Sequence, residues 1–257
     1  MNIQNHFIAF QTILIKETLR FSRIWIQTLL PPAITTALYF VIFGELIGAR
    51  LGPVEGLSYS RYIAPGLIMM AVMTNAYSNV VSSFFSAKFQ RHIEEMLVSP
   101  LPNAVIVLGF VGGGVARGLA VGLTVIAVSL FFAELHWQHP LVTFAVMVLT
   151  AVLFALGGLI NGIFAKSFDD ISLVPTFVLT PLTYFGGVFY SIDLLPEWAR
   201  HISMVNPILH MVNAFRYGFL GTSDVSVAGA FVMMLVLVVV MFTLAVVLLN
   251  RGSGTRD

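Results

Sequence analysis

The sequence contains no cysteine, and charged residues occupy only 10% of its 257 positions. Without cysteine, neither a disulfide framework nor a cysteine-ligated metal site can form. A net charge of +1 provides no basic stripe able to neutralise several phosphates, which argues against a nucleic-acid partner. Apolar residues, by contrast, make up 58% of the chain, and its mean hydropathy is +0.93. Because soluble domains carry roughly 25% charged residues, this composition predicts a polytopic protein of the lipid bilayer.

Motifs for catalysis are also missing. The phosphate-binding motif G-x-x-x-x-G-K-[ST] does not occur, because Ala165 stands before Lys166-Ser167 where the motif needs glycine. His136 and His139 could share a metal, but two ligands are too few without others, so no metal site is expected. The chain is therefore expected to hold no catalytic residue, to bind no cofactor and not to hydrolyse ATP itself.

Long hydrophobic stretches predict six membrane-spanning helices. A bilayer core of about 30 Å requires roughly 20 helical residues. The first stretch is not a cleavable signal, since 23 residues precede it and it contains Pro31-Pro32. The predicted spans cover residues 24–47, 63–87, 104–133, 141–165, 171–190 and 227–250.

The distribution of lysine and arginine predicts that both termini are cytoplasmic. With that orientation eight basic residues lie inside, four lie outside and Arg117 lies within the membrane. All three lysines then fall on the inner side, and Tyr190 and Trp198 fall where an outer aromatic belt would lie. The inner residues are Lys16, Arg20, Arg23, Lys88, Arg91, Lys166, Arg251 and Arg256, and the outer ones are Arg50, Arg61, Arg200 and Arg216.

Residues 2–23 have helical periodicity, with large apolar side chains close to one face and polar ones mostly on another. This pattern predicts a helix lying in the inner membrane interface. The alternative is a flexible N-terminal tail.

The first cytoplasmic loop, residues 88–99, predicts a short amphipathic helix. Phe89, Ile93 and Leu97 are spaced to share one helical face, and Pro100 and Pro102 follow and end the helix. The same segment carries Glu94 and Glu95, which anionic headgroups repel. This helix is therefore expected to bind in a groove of a protein partner.

The region from 171 to 220 predicts a broken, re-entrant structure. Pro175 and Pro181 interrupt span five, and Asn206-Pro207 divides residues 194–220 into two apolar pieces that are each too short to cross a bilayer. Freed backbone at membrane depth is tolerated only beside protein or a water-filled cavity, so a translocation route is expected here. Trp198 and Arg216 are expected to anchor this outer hairpin, with Arg216 reaching headgroups or pairing with an acid such as Asp193.

Glycines repeat every four residues in two of the predicted spans. Such spacing allows close approach of helix backbones, and it predicts either helix packing or a subunit interface. The residues are Gly114, Gly118, Gly122, Gly158 and Gly162. Arg117 lies among them, where its charge either marks function or snorkels toward the cytoplasmic interface.

Four motifs near the last span resemble the signature of ABC-2 type permeases, the membrane subunits of ATP-binding-cassette exporters. They are Pro181-x-x-x-x-Gly186-Gly187-x-Phe189, Leu195-Pro196-x-Trp198, Asn206-Pro207 and Arg216. The resemblance covers essentially the whole chain, and strings such as Phe-Arg-Tyr-Gly-Phe-Leu-Gly are most similar to the YadH-type inner-membrane permeases of Gram-negative bacteria. Tyr190 departs from the pattern, since many members have proline there.

The resemblance implies a half-transporter in the bacterial inner membrane. Its working unit would be two permease copies, as a homodimer, with two separate ATPase subunits that bind ATP and Mg. The loop 88–102 would contain the coupling helix that docks in the ATPase, and the helices around the broken outer segment would line a lateral route. The substrate would be amphipathic, lipid-linked or polysaccharide. The implied coupling residues are Phe89, Arg91, Ile93, Glu94, Glu95 and Leu97, and the implied outer-gate residues are Leu195, Pro196, Trp198, Asn206, Pro207 and Arg216.

The expected organisation is a single all-α transmembrane domain over residues 1–257. It comprises an interfacial helix (1–23), spans one to five (24–190), the hairpin and outer loop (191–226), span six (227–250) and a cytoplasmic tail (251–257). The alternatives are an ion-coupled secondary transporter, which usually carries buried carboxylates and paired repeats, and an intramembrane enzyme or a scaffold. All twelve acids can be placed at or outside the interfaces, which disfavours the first, and no clustered nucleophile or metal set favours an enzyme.

Overall fold

A computed structural model describes residues 3–54 and 56–252. The described chain is helical, as predicted, and its only β pairing is an isolated bridge between Val54 and Leu57. The helices are α1 (Ile3–Ser22), α2 (Trp25–Tyr39), α3 (Gly48–Leu51), α4 (Tyr59–Phe89), α5 (His92–Val98), α6 (Asn103–Ser129), α7 (Pro140–Phe164), α8 (Asp170–Val174), α9 (Thr180–Tyr184), α10 (Glu197–Val205), α11 (Pro207–Leu220) and α12 (Val227–Arg251). A π-helix at Phe40–Ile47 joins α2 to α3, another at Pro175–Leu179 joins α8 to α9, and Ile192–Leu194 forms a 3-10 turn.

Within residues 3–54 and 56–252, five helices are long and apolar enough to cross a membrane, and each coincides with a predicted span. They are Trp25–Arg50, Tyr59–Phe89, Asn103–Ser129, Pro140–Phe164 and Val227–Arg251. The middle three are largely buried within the protein, whereas the first and last expose most of their apolar surface. These two outer helices therefore face lipid or another chain.

The predicted fifth span is shorter in the structure than in the prediction. Residues 170–184, the α8–α9 segment, comprise three successive five-residue pieces of helix, which at helical rise extend only about 22 Å. The π-helical turn begins at Pro175, whose ring nitrogen cannot donate to the regular hydrogen-bond ladder. The chain then turns at Gly187, where φ is 66°, so residues 185–190 are not helical.

The loops gather at two opposite ends of the bundle. At one end, the loop end, Lys88 Nζ donates to the carbonyls of Ile163 and Ala165, both at 2.7 Å, and Asn103 Nδ2 donates to Asn250 Oδ1 at 2.7 Å. At the far end, the Tyr59 hydroxyl donates to the Phe189 carbonyl at 2.8 Å, 130 positions away in the chain. Helices α4, α6 and α7 therefore run in alternating directions between these ends, and α12 runs in the same direction as α7 because Asn250 near its end also lies at the loop end.

Helix α4 is the centre of the fold, and it packs against α6, α7 and α11. Close approach depends on the predicted glycines. A side chain at Gly114 or Gly118 would collide with Val80 or Ala76 of α4, and one at Gly158 would overlap the Tyr77 carbonyl oxygen. Gly122 and Gly162 similarly face Val72 and Phe84. These glycines pack helices together within the chain rather than lying on its outer surface.

Helix α1 is a regular helix that packs along α6. Ile13, Leu14 and Glu17 lie against Gly109, Gly112 and Gly113, which leave no room for a side chain on α6. The other side of α1 exposes large apolar groups at Phe7, Ile8, Ile15 and Leu19.

Candidate functional site

A groove along one side of α4 is the main candidate site. Its floor is the part of α4 around Thr74 and Ser78, and Tyr77 lines its deepest part. One wall is the end of α2 at Tyr39, and the other is the α8–α9 segment with Thr180, Thr183 and Tyr184. The volume is about 200 Å³. Thr74 is exposed although it lies midway along the most buried helix. The groove combines hydroxyl groups with aromatic rings, which suits an amphipathic ligand.

The groove continues into a cleft between α2, α4 and α6 toward the loop end. Met70 and Thr74 line both, so the two spaces are contiguous. The cleft has a volume of about 380 Å³. Its polar lining consists of Gln27, Thr28, Thr35, Thr36, Thr74, Asn75 and Arg117.

A third space, of about 430 Å³, is almost entirely apolar. It lies between α4, α7, α11, α12 and the α8–α9 segment, and it shares Tyr77 and Leu179 with the groove. Pro207 and Ile208 at the start of α11 contribute to its lining. The start of α11 therefore contacts this cavity directly.

The predicted break at Asn206-Pro207 is present and has a specific geometry. Asn206 caps α11, because its Oδ1 accepts from the Ile208 backbone N–H at 3.0 Å. Its Nδ2 donates to the Leu182 carbonyl at 2.6 Å. The residue that ends α10 and starts α11 thus also fixes both helices to α9. The α8–α9 segment is therefore connected to the junction of α10 and α11 through Asn206.

Of the two alternatives expected for Arg216, reaching headgroups is wrong, and the side chain instead lies beside an acid, Asp224. The Arg216 side chain is only 1% exposed and lies inside the protein. Nη2 donates to the Gly187 carbonyl at 2.7 Å and Nη1 to Asn213 Oδ1 at 3.1 Å, with Asp224 at 3.9 Å. The alternative acid, Asp193, has a side chain outside the described part of the structure. Arg216 therefore fastens the Gly187 turn to α11, because tertiary partners satisfy it better than lipid would.

The remaining hairpin residues lie at the surface of the far end. Trp198 is 64% exposed, and Pro196 immediately precedes α10, a position that its fixed φ favours. Leu195 is half-buried. Gly186 packs against Ile208, so the glycine pair of the signature lies between α9 and α11.

The loop 88–102 differs from the predicted continuous helix. Phe89 belongs to the end of α4, and Arg91 adopts φ 63°, the only positive φ of a non-glycine residue in the described chain. This reversal separates Phe89 from α5, so Phe89, Ile93 and Leu97 do not share one helical face. Ile93 is 1% exposed and packs into the bundle, with Leu97 partly buried beside it. The apolar face of α5 is thus turned toward the protein.

The outward surface of this loop is defined by other residues. Glu94 and Glu95 are exposed, as are Arg91 and His92. Val98 is 87% exposed at the end of α5. Phe89 is also exposed, and its ring is tilted against that of Phe168 in the next loop, with ring centroids 5.5 Å apart. We call Phe89, Glu94, Glu95, Val98 and Phe168 the loop-end surface.

The second loop of the loop end is ordered by Asp170. Its Oδ2 accepts hydrogen bonds from the backbone N–H of Lys166 at 2.8 Å and of Ser167 at 3.0 Å. These bonds, first that from Lys166, hold the pKa of the Asp170 carboxyl below its usual value. The carboxylate thus shapes the turn that leads into α8. Across the described residues, no three His, Asp or Glu side chains are grouped closely enough to hold a metal ion.

Comparison with known proteins decides the family. The ABC-2 type transporter family matches residues 8–220. The chain belongs to this family. It is 57% identical over 252 residues to the inner membrane transport permease YadH of Escherichia coli K12, covering 98% of both chains. It is also 27% identical over 215 residues to nodulation protein J of Rhizobium leguminosarum bv. viciae (83% of each chain) and 26% identical over 217 residues to that of Rhizobium meliloti strain 1021 (83% of this chain and 82% of the relative).

Membership makes the chain a membrane permease subunit of a transporter, a role in which the family implies an ATPase partner. The resemblance drawn from the four motifs is confirmed. The groove was missed by sequence reasoning, although a signal existed. Thr74 and Ser78 are four residues apart in an otherwise apolar span, and Thr180 and Thr183 are three apart. Hydroxyl pairs at helical spacing mark a polar stripe.

Proposed function

We propose that the chain is one half of the membrane part of an ABC exporter that moves an amphipathic, lipid-linked or polysaccharide-type substrate across the bacterial inner membrane. The groove beside α4 carries this proposal. It runs along a membrane-spanning helix, it presents hydroxyl and aromatic groups where lipid-facing positions are normally apolar, and one wall is the broken α8–α9 segment. Irregular helix at membrane depth is favoured only where it lines a cavity or a pathway.

The loop-end surface is proposed to receive the ATPase subunit. Glu94 and Glu95 provide charge, and Val98 and Phe89 provide exposed apolar groups that water does not favour. Arg91 borders them, whereas Ile93 and Leu97 support α5 from behind. In this arrangement ATP and Mg are bound by the ATPase, and movement of α5 reaches the bundle through Ile93.

A second copy is proposed to close the groove. The span Trp25–Arg50, which begins with α2, is only 17% buried within the protein, and the outward side of α2 carries large apolar residues. The exposed residues on α2 include Trp25, Ile26, Leu30, Ile34 and Leu38. Two copies facing each other across α2 and the α8–α9 segment would enclose a shared route, with two ATPase subunits beneath. The six-span arrangement follows if the α8–α9 segment and the outer hairpin together complete the fifth crossing.

The test is to purify the affinity-tagged full chain from bacterial membranes in mild detergent. Mass spectrometry then identifies any ATPase subunit carrying a nucleotide-binding motif, and ATP hydrolysis of the complex is measured. Val98→Asp should reduce ATPase association by about tenfold, since an interface anchor contributes on the order of 1–2 kcal/mol. Glu94→Lys with Glu95→Lys should act in the same direction.

Glu134→Lys is the matched control, because Glu134 is an exposed acid at the far end of the bundle. It should leave ATPase association unchanged. Purification of the wild-type chain without any ATPase subunit would contradict the transporter assembly. Association that is equally strong in Val98→Asp and wild type would contradict only the assignment of the loop-end surface.

A further inference from the structure

Arg117 is a cation within the cleft between α2, α4 and α6. It forms no hydrogen bond and no ion pair with any residue in the described chain, and its Nε is buried without a partner. An arginine has five N–H donors, and a guanidinium that is partly removed from water without an anion is unfavourable. Arg117 therefore occupies a position that calls for a negatively charged ligand.

Nearby acid does not supply that charge. Glu17 is 1% exposed and lies against Gly113, one helical turn from Arg117. Its carboxylate, however, accepts from Arg20 Nε at 3.2 Å, and Arg20 Nη2 is held by the carbonyl and side-chain oxygens of Asn79 at 2.9 and 2.8 Å. Glu17 and Arg20 thus neutralise each other. The cluster retains the single positive charge of Arg117.

Arg117 begins near the middle of α6, as the fifteenth of its 27 residues, and its side chain can reach toward the leaflet at the loop end. Arg20, Arg23 and Trp25 stand where α1 ends and α2 begins, and arginine and tryptophan at helix ends mark the membrane interface. Arg117 is four residues beyond Gly113, about 6 Å deeper along α6. A side chain as long as arginine can extend back over that distance. The guanidinium group is therefore within reach of a headgroup that enters the cleft from this leaflet.

The lining of the cleft provides for both parts of an amphipathic molecule. Thr35 and Thr74 are exposed to it and can donate hydrogen bonds to phosphate oxygens. The cleft passes at Met70 into the groove, and the groove passes at Tyr77 and Leu179 into the apolar cavity. A charged group at Arg117 can therefore be continuous with a hydrocarbon tail lying along α4.

We propose that this cleft is a binding site for the phosphate group of an amphipathic phosphate ester taken from the leaflet at the loop end, with Arg117 as the anion-binding residue. Its interpretation as the entry site of the transported substrate rests on the proposed function above. The shared chemistry is a phosphate mono- or diester with an apolar tail. Its source is either a bilayer phospholipid or a lipid-linked phosphate.

The test uses the delipidated full chain in non-ionic detergent, without ATPase or nucleotide. Native mass spectrometry measures binding of dioleoylphosphatidylglycerol, farnesyl phosphate and dioleoylglycerol, which lacks phosphate. Wild type should bind the two phosphate esters, and Arg117→Gln should weaken that binding by about tenfold or more, the range expected for loss of a charge-assisted hydrogen bond. Arg117→Lys keeps the positive charge but loses the paired N–H donors of the guanidinium, so its binding of the phosphate esters should be intermediate. Tighter binding of farnesyl phosphate would indicate that the natural ligand is a lipid-linked phosphate. Tighter binding of dioleoylphosphatidylglycerol would indicate that it is a bilayer phospholipid.

Arg23→Gln is the matched control, because Arg23 is an exposed arginine at the same end of the bundle and does not line the cleft. It should bind as wild type does. Thr74→Val tests the cleft without altering charge and should weaken binding to a smaller extent, which keeps the test decisive if Arg117→Gln does not fold. Equal binding of dioleoylglycerol, or unchanged binding in Arg117→Gln, would overturn the proposal. Arginine-dependent binding in a chain that recruits no ATPase would leave this site standing and remove only the transport function.

Discussion

The guanidinium carbon of Arg216 lies 4.1 Å from the centroid of the Tyr62 ring. Tyr62 is a fully buried residue of α4, and Arg216 is a buried residue of α11, so this cation–π contact joins the central helix to the outer hairpin. The same guanidinium holds the Gly187 carbonyl. Arg216 is therefore a structural centre of the far end.

Arg216→Met should destabilise the protein by about 2 kcal/mol or more. The methionine fills part of the space but leaves the Gly187 carbonyl without its arginine donor, and Asn213 Oδ1 keeps only the Asp224 N–H of its two donors. The measurement is the apparent melting temperature in detergent by fluorescence-detected size exclusion. Arg50→Met, at an exposed arginine of α3, should melt with wild type. Equal melting of both variants would show that the buried contacts contribute little.

Gly158→Ala should destabilise the bundle, whereas Gly157→Ala should be tolerated. A methyl group at Gly158 overlaps the Tyr77 carbonyl oxygen, which is backbone and cannot rotate away. The corresponding methyl at Gly157 meets only ordinary contacts, at 3.6 Å from Met241 and 3.7 Å from Tyr77. Yield of monodisperse protein and its melting temperature check this pair. The prediction fails if the two neighbouring substitutions behave alike.

Single cysteines should report the orientation of the chain. If lysine and arginine bias sets topology, Thr222→Cys is labelled from outside by an impermeant thiol reagent, and Lys166→Cys is protected in intact cells. Both positions are exposed, at opposite ends of the bundle, and the chain has no cysteine of its own. Permeabilised cells should label both, which controls for reactivity. Labelling of Lys166→Cys in intact cells would reverse the proposed topology.

Leu38→Cys should form a cross-linked dimer with a short bismaleimide. Leu38 is 54% exposed on α2, beside the groove that a second copy is proposed to close. Val240→Cys is the comparison, since it is similarly exposed at 56% but lies on α12. Cross-linking in native membranes should give a dimer for the first variant and a monomer for the second. The reverse pattern would move the dimer contact to α12.

The long spans could be predicted from the sequence because length and hydropathy alone define them. Each of the five long helices begins and ends within about four residues of its predicted limits. The α8–α9 segment could not be predicted in the same way. Its apolar run continues to Tyr190, but Gly186 and Gly187 allow a turn that hydropathy does not register.

The roles of Ile93 and Arg216 could not be predicted, for a different physical reason. Periodicity identified the apolar face of α5 but not the direction in which it turns, and the positive φ of Arg91 decided that direction. For Arg216, the sequence left two alternatives open, contact with headgroups or pairing with an acid such as Asp193. Its actual partners, Tyr62 and Gly187, are distant in the chain. A local sequence pattern does not report contacts between residues that are distant in the chain.

Lys88 ties two of the long helices together at the loop end, which sets them apart from the α8–α9 segment. Its ammonium group, near the end of α4, donates to the carbonyls of Ile163 and Ala165 at the end of α7. These two helices are therefore joined at the loop end. The α8–α9 segment is attached to its neighbours by a different kind of group. At its start Asn161 Nδ2 of α7 donates to the Ile171 carbonyl at 3.2 Å, and near its end Asn206 Nδ2 donates to the Leu182 carbonyl. Two asparagine amides thus hold this wall of the groove, whereas one ammonium group joins the ends of α4 and α7.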